Sequence, residues 1–198
     1  TILLTMSKRI APESHTLCGL DVSEPRSPEE KAALLVEAQV KEVEQAAQMR
    51  NPDARVVLEV RNSHVPSLQT LAYAYVGIQT GDFPQFGRFF WEVRLNSDWE
   101  YQATSPGRTS HQEGKRMVLY WEGFDGVLAD RQRTGQSYVR GWGAFGKNGV
   151  LIGSMRNLPS TLYNGELFDN NCAAIIPHSP EHLPAIWCFC SSHEYNEA

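Results

Sequence analysis

The sequence has no apolar run long enough to span a bilayer and no basic, apolar, small-residue signal pattern at its start. Cysteine is scarce. Cys18, Cys172, Cys188 and Cys190 show no disulfide-framework spacing, so reduced thiols and a cytoplasmic protein are expected. There is no P-loop, no Gly-x-Ser-x-Gly and no His-Glu-x-x-His, which removes the commonest nucleotide-hydrolase, serine-hydrolase and zinc-protease readings. No repeat of fixed period and no low-complexity tract is present. Residues 161–198 contain neither Lys nor Arg.

What is present is an ordinary globular composition over 198 residues, 41% hydrophobic and 10% aromatic, enough for a real core. The net charge of −5 is not a nucleic-acid footprint, but its distribution is uneven. Positions 131–156 hold Arg131, Arg133, Arg140, Lys147 and Arg156 with no acid among them, a local imbalance suited to phosphate. The chain opens on an apolar run and closes on a helical one, and we read it as a piece of a longer protein.

In chain order, residues 2–6 and 16–22 read as strands joined by a turn. Ser27-Pro28-Glu29-Glu30 is a helix start with a capping box, and the apolar spacing predicts a helix over 31–49, with Glu37 and Lys41 paired on its exposed side. Residues 55–60 are a short strand or a further helical piece. A second helix is expected over 67–75, then strands over 91–95, 99–103, 117–121, 137–139, 150–154 and 172–176, and a final helix from Pro180 to Ala198.

The most informative stretch is Val76 to Val93. Gly81 can adopt a positive φ, Pro84 fixes its own, and Thr80 and Asp82 can bond nearby amides to hold the turn. Gly77, Ile78, Thr80, Gly81 and Phe86 spell G-I-x-T-G-x-x-x-x-F. This resembles the segment that opens the target-recognition region of adenine-specific DNA methyltransferases of the restriction-modification type, the TaqI-like and type IIG enzymes and their phage-defence relatives. The likeness continues through residues 138–142, 147–150, 155–159, 162–169 and 184–196, where Ser191 and Ser192 match a small-residue, Ser step. The first 25 residues resemble the last strands of the methyltransferase's doubly wound sheet.

The resemblance implies a mixed α/β chain, α+β in its larger part. Residues 1–65 would close a methyltransferase domain with a connecting helix, and residues 66–198 would be a target-recognition domain. It also implies methyl transfer from S-adenosylmethionine to adenine in double-stranded DNA. The catalytic Asn/Asp-Pro-Pro-aromatic loop and the glycine-rich cofactor turn are absent; Asn51-Pro52-Asp53 lacks the second proline and the aromatic. The catalytic and cofactor motifs are therefore expected in the rest of the parent enzyme. Whether the parent acts in restriction or in non-cleaving defence is left open.

Arginine and glutamine can read guanine and adenine edges, and Lys or Arg neutralises phosphate. The candidates for DNA contact are Arg131, Gln132, Arg133, Gln136, Arg140 and Lys147, with Arg108, Lys115 and Arg116 from a neighbouring loop and Trp142 as a stacking surface. The alternative is that most of these side chains are solvated or pair with Glu122, Asp125 and Asp130. His178, His182, Cys188, Cys190 and His193 are zinc-ligand types, but Cys188 and Cys190 fall on opposite sides of a helix and no metal is expected. A non-catalytic protein-interaction or scaffolding module is the second functional expectation, using the acidic end and the aromatic surfaces.

Overall fold

A computed structural model describes residues 4–12, 14–51, 55–58, 67–155, 157–193 and 195. The chain divides into two compact units, Thr1–Val65 and Pro66–Ala198. The fold class is α+β.

In the first unit, strand β1 (Thr16–Gly19) pairs antiparallel with β2 (Lys41–Glu44), and helix α1 (Pro28–Glu37) lies between them in sequence. The capping box of α1 forms as its residues predict: Ser27 Oγ accepts from the Glu30 amide at 3.2 Å, and the Glu30 carboxylate accepts from the Ser27 amide at 3.4 Å. The helix expected over 31–49 stops at Glu37. In Lys41-Glu42-Val43-Glu44 a two-residue alternation, completed by Leu17 opposite the buried Val43, overrides the helical period. Lys41 therefore lies on a strand, not one turn below Glu37. A short helix α2 (Gln45–Gln48) follows. Residues 4–6 carry no strand and 55–58 form no regular element; positions 2–3 and 59–60 of those two expectations lie outside the described residues.

The second unit contains two four-stranded sheets. The first has order β3-β10-β7-β8, from β3 (Ala72–Val76), β7 (Gly149–Gly153), β8 (Ser160–Tyr163) and β10 (Cys172–Pro177), all antiparallel neighbours. The second has order β4-β6-β5-β9, from β4 (Gly87–Phe89), β5 (Trp99–Ala103), β6 (Met117–Tyr120) and the two-residue β9 (Leu167–Phe168), which lies parallel to β5. The helix expected over 67–75 is a 3-10 turn (Leu68–Thr70) followed by β3. Tyr73, Tyr75 and Val76 are strand formers, and β10 is there to pair with them. Residues 91–95 carry a turn and a bend in place of the expected strand, and 137–139 contribute one bridge, Gln79 to Tyr138.

Residues paired across a ladder point to the same face, which sets the layers. One face of the first sheet, with Val150, Ile152 and Ile175, packs on helix α5 (Leu183–Cys190) through Ile186 and Cys190. Its other face, with Leu151, Tyr163, Cys172, Ala174 and Ile176, meets Ala103 and Phe168 of the second sheet. The far face of the second sheet, with Leu119 and Leu167, is covered by Ile78, Phe86 and Leu128, the last from helix α4 (Val127–Arg133). Each fully buried Leu, Ile or Phe side chain contributes about 1.5–3 kcal/mol. The final helix is shorter than expected. It begins with a 3-10 turn (Pro180–His182), and after Cys190 the Ser191 hydroxyl donates to the Trp187 carbonyl at 2.7 Å. Glu194 and residues 196–198 lie outside the described residues.

Candidate functional site at the crossing of the two sheets

The chain passes from the first sheet to the second between Val76 and Gly87 and returns between Phe168 and Cys172. The two passages are laced side by side. Ile78 N donates to the Phe168 carbonyl at 2.7 Å, and Asn170 N donates to the Ile78 carbonyl at 3.0 Å. Gly77 is needed for this approach, because a Cβ there would strike the carbonyl oxygens of Phe168 and Asp169.

The turn that follows is held differently from the sequence expectation. Thr80 contributes its carbonyl, which accepts from the buried Ser137 hydroxyl at 2.5 Å, and the Asp82 side chain does not cap helix α3 (Phe83–Phe86). Gly81 has φ +75° and sits against the Gln136 carbonyl.

Above this crossing lies an open cleft of about 740 Å³. One wall is Gln79, Thr80 and Gly81. Phe83, Phe89 and Met117 supply apolar surface, and Thr104, Asp169, Asn170 and Asn171 supply polar groups. Asp169 Oδ1 accepts from the Asn171 amide at 3.0 Å and from Cys172 Sγ at 3.2 Å. Burial raises its pKa above the usual carboxylate value against the opposing pull of those bonds. Burial and the neighbouring Asp169 push the Cys172 thiol well up, so it is inert at neutral pH.

The segment from α4 to residue 147 abuts the cleft wall through Gln79–Tyr138 and Gly81–Gln136. The structure divides the candidate DNA residues. Arg131 is half-buried: Nε donates to Ser137 Oγ at 3.3 Å, and the guanidinium lies 5.7 Å from the Phe86 ring centre. The Gln132 carboxamide oxygen accepts from Val139 N at 2.7 Å. Arg133 pairs with Asp130 on the surface. Arg108 pairs with Glu113 at 3.1 Å. Lys115 pairs with Glu166 at 2.8 Å in a smaller pocket of about 290 Å³, both side chains largely buried. Burial works against ionisation of Glu166, but bonds from Lys115 and the Asn164 amide outweigh it and hold the pKa low.

Gln136, Arg140, Trp142, Lys147 and Arg116 are exposed. Arg140 lies over the Tyr138 ring at 5.6 Å; Arg116, Arg140 and Lys147 have no ion-pair partner among the described residues. Trp142 is 52% exposed and rests on Phe124 and Trp121, at ring-centre distances of 5.0 and 5.8 Å. Phe124 reaches this position from a left-handed turn in which Glu122, Gly123 and Phe124 all have φ between 51° and 61°. The Glu122 carboxylate caps α4 by accepting from Val127 N at 2.9 Å.

No protein-family model matches this chain, and no curated protein matches it. Function is therefore read from side-chain chemistry.

Among the described residues no group of three or more His, Cys, Asp or Glu side chains is placed to hold a metal, and no helix is long and apolar enough to cross a membrane. Cys188 is exposed and Cys190 buried, so the two thiols do point apart. The sequence pattern did not single out the cleft residues Gln79, Asp169, Asn170 and Asn171. The one signal it carried was Asp169-Asn170-Asn171, a turn-forming triplet between two apolar runs.

Proposed function

We propose that this chain recognises duplex DNA as the sequence-reading part of an adenine-specific, S-adenosylmethionine-dependent DNA methyltransferase or restriction-methylation enzyme. Methyl transfer and cofactor binding fall to other parts of the parent, in the cytoplasm. The observation that carries the reading is the surface at 138–147, where Arg140 and Lys147 flank the half-exposed Trp142 and neither cation faces a carboxylate among the described residues. Unpaired cations give phosphate affinity, and exposed amide side chains such as Gln136, four residues before Arg140, and Gln79, bridged to Tyr138, have the groups that read base edges. The sequence resemblance to target-recognition regions points the same way.

The test is duplex binding by fluorescence anisotropy across a salt series. Arg140→Ala combined with Lys147→Ala is expected to lower affinity and to reduce the slope of log K against log salt by about 0.9 for each phosphate left without its cation. Unchanged affinity and slope would refute the proposal. A second reading, a protein-interaction module, is favoured by the exposed rings of Phe89, Phe90 and Trp91, with Phe89 stacked on Trp91 at 4.6 Å. Binding that is independent of both salt and DNA would select it.

A further inference from the structure

Asp169 lines the cleft at the sheet crossing, half-buried, and its hydrogen-bond partners are neutral: the Asn171 amide and Cys172 Sγ share its Oδ1. Among the described residues no cation pairs with it. It is also the one charged residue among the described residues that line the cleft. Arg131, close to Gly81, is engaged with Ser137 and the Phe86 ring. A partly desolvated carboxylate without a counter-charge is costly, and a bound cation offsets that cost.

The same cleft carries aromatic surface that the fold holds in place. Phe89 stacks on Trp91 with ring centres 4.6 Å apart and planes 6° from parallel, yet remains 40% exposed. The Phe83 ring lies against Gly87, where a Cβ would strike three of its ring atoms; only glycine lets the ring lie there. Phe89 and Met117 are cross-strand partners on one face of the second sheet. The Asp169 amide donates to the Ala103 carbonyl at 3.1 Å. This carries the β5–β9 ladder one residue further and sets Asp169 alongside Thr104, another residue of the lining.

We propose that this cleft binds a small organic monocation, an alkylated ammonium compound, with its positive head between the Asp169 carboxylate and the rings of Phe83 and Phe89. A ring face attracts a cation through its quadrupole, and methyl groups on the nitrogen suit apolar walls where a strongly hydrated ion would not settle. A single carboxylate matches a single positive charge. The volume of about 740 Å³ is that of a small-molecule site, and the exposed carboxamides of Gln79, Asn170 and Asn171 suit a polar substituent on the ligand. Burial holds the Asp169 pKa up, and an ammonium head beside it would supply the missing counter-charge. This assignment is independent of the DNA-reading proposal, which rests on residues 138–147.

The experiment uses the whole 198-residue chain and titration followed by protein NMR, which reads millimolar affinities. The probes are choline and its uncharged isostere 3,3-dimethylbutan-1-ol, which has the same shape with carbon in place of nitrogen. Choline is expected to shift the backbone amide signals of Ile78 and Asn170, with the isostere about tenfold weaker. Asp169→Asn should weaken choline about tenfold and Phe89→Leu about fivefold, with little effect of either on the isostere. Asp169→Asn keeps the oxygen that accepts from the Asn171 amide and Cys172 Sγ, and Phe89 is part-exposed, so both variants should fold; unchanged amide spectra in the absence of probe check this. Equal binding of choline and the isostere would show an apolar cleft with no preference for charge and overturn the assignment. Choline binding that survives Asp169→Asn, or no shift at millimolar choline, would overturn it as well. Loss of DNA binding in Arg140→Ala with Lys147→Ala, with choline binding intact, leaves both readings standing.

Discussion

Gly81→Ala tests the geometry of the site wall. Two costs act at this position. The φ of +75° costs an L-residue about 1–2 kcal/mol. In addition, the new Cβ falls well inside the 3.0 Å that real Cβ atoms keep, against the carbonyl oxygen of Gln136. That carbonyl cannot swing away cheaply, because Gln136 N is bonded to the Arg131 carbonyl at 2.8 Å, closing α4. Gly135→Ala is the control: its φ is +73°, but nothing lies within 4 Å of its Cβ, so it carries only the conformational cost. The expected loss is about 1 kcal/mol for Gly135→Ala and about 3 kcal/mol for Gly81→Ala. Urea unfolding followed by tryptophan fluorescence is the assay. All five tryptophans lie in the second unit, so the signal reports that unit alone. Equal losses in the two variants would show that the 79–82 turn does not press on α4, and the description of the cleft wall would fail.

The two perturbed carboxyls make opposite predictions for pH. Glu166 has a depressed pKa, so its contribution is present above the ordinary carboxylate pKa and is lost as pH falls through the folded value; Glu166→Gln should lower stability by about 1 kcal/mol at pH 7 and make no difference in acid. Asp169 has a raised pKa, so its protonated form favours folding and that advantage disappears as pH rises; Asp169→Asn, which keeps the oxygen acceptor, should be more stable than the parent at pH 7 and equal to it near pH 3. Urea midpoints across pH check both, and parallel profiles for the two variants would refute the assignment. A thiol reagent at neutral pH should label the exposed Cys18 and Cys188 fast, while Cys172 and Cys190, the latter pushed by burial to about 11, react only on unfolding; early labelling of Cys172 would contradict its place between the sheets.

The mixed class was legible because the strands anticipated at 117–121, 150–154 and 172–176 carry compact apolar runs and the one at 99–103 alternates apolar with polar residues. Helical spacing misled at 31–49 and 67–75. Val36, Val40, Val43 and Ala47, and likewise Leu68, Leu71, Ala72 and Tyr75, recur at the one-, three- and four-residue intervals of a helix, yet Val43 and Tyr75 lie on strands, and only a pairing partner decides between the two readings. That partner is remote for β3, which pairs with a strand about a hundred residues on. The candidate cations were legible as residue types. Their partners were not: Arg131 with Ser137 and Phe86, and Lys115 with Glu166, follow from tertiary packing. The cleft was hidden for the same reason, since its walls come from four separated stretches.

The paired passages at residues 77–79 and 168–170 act as a stitched hinge-pin between the sheets. Amide protons of Ile78 and Asn170, although outside any strand, are locked into the seam that joins both halves of the sandwich. Sliding one sheet over the other must tear that seam first, so whatever occupies the adjoining hollow would be felt by both sheets at once.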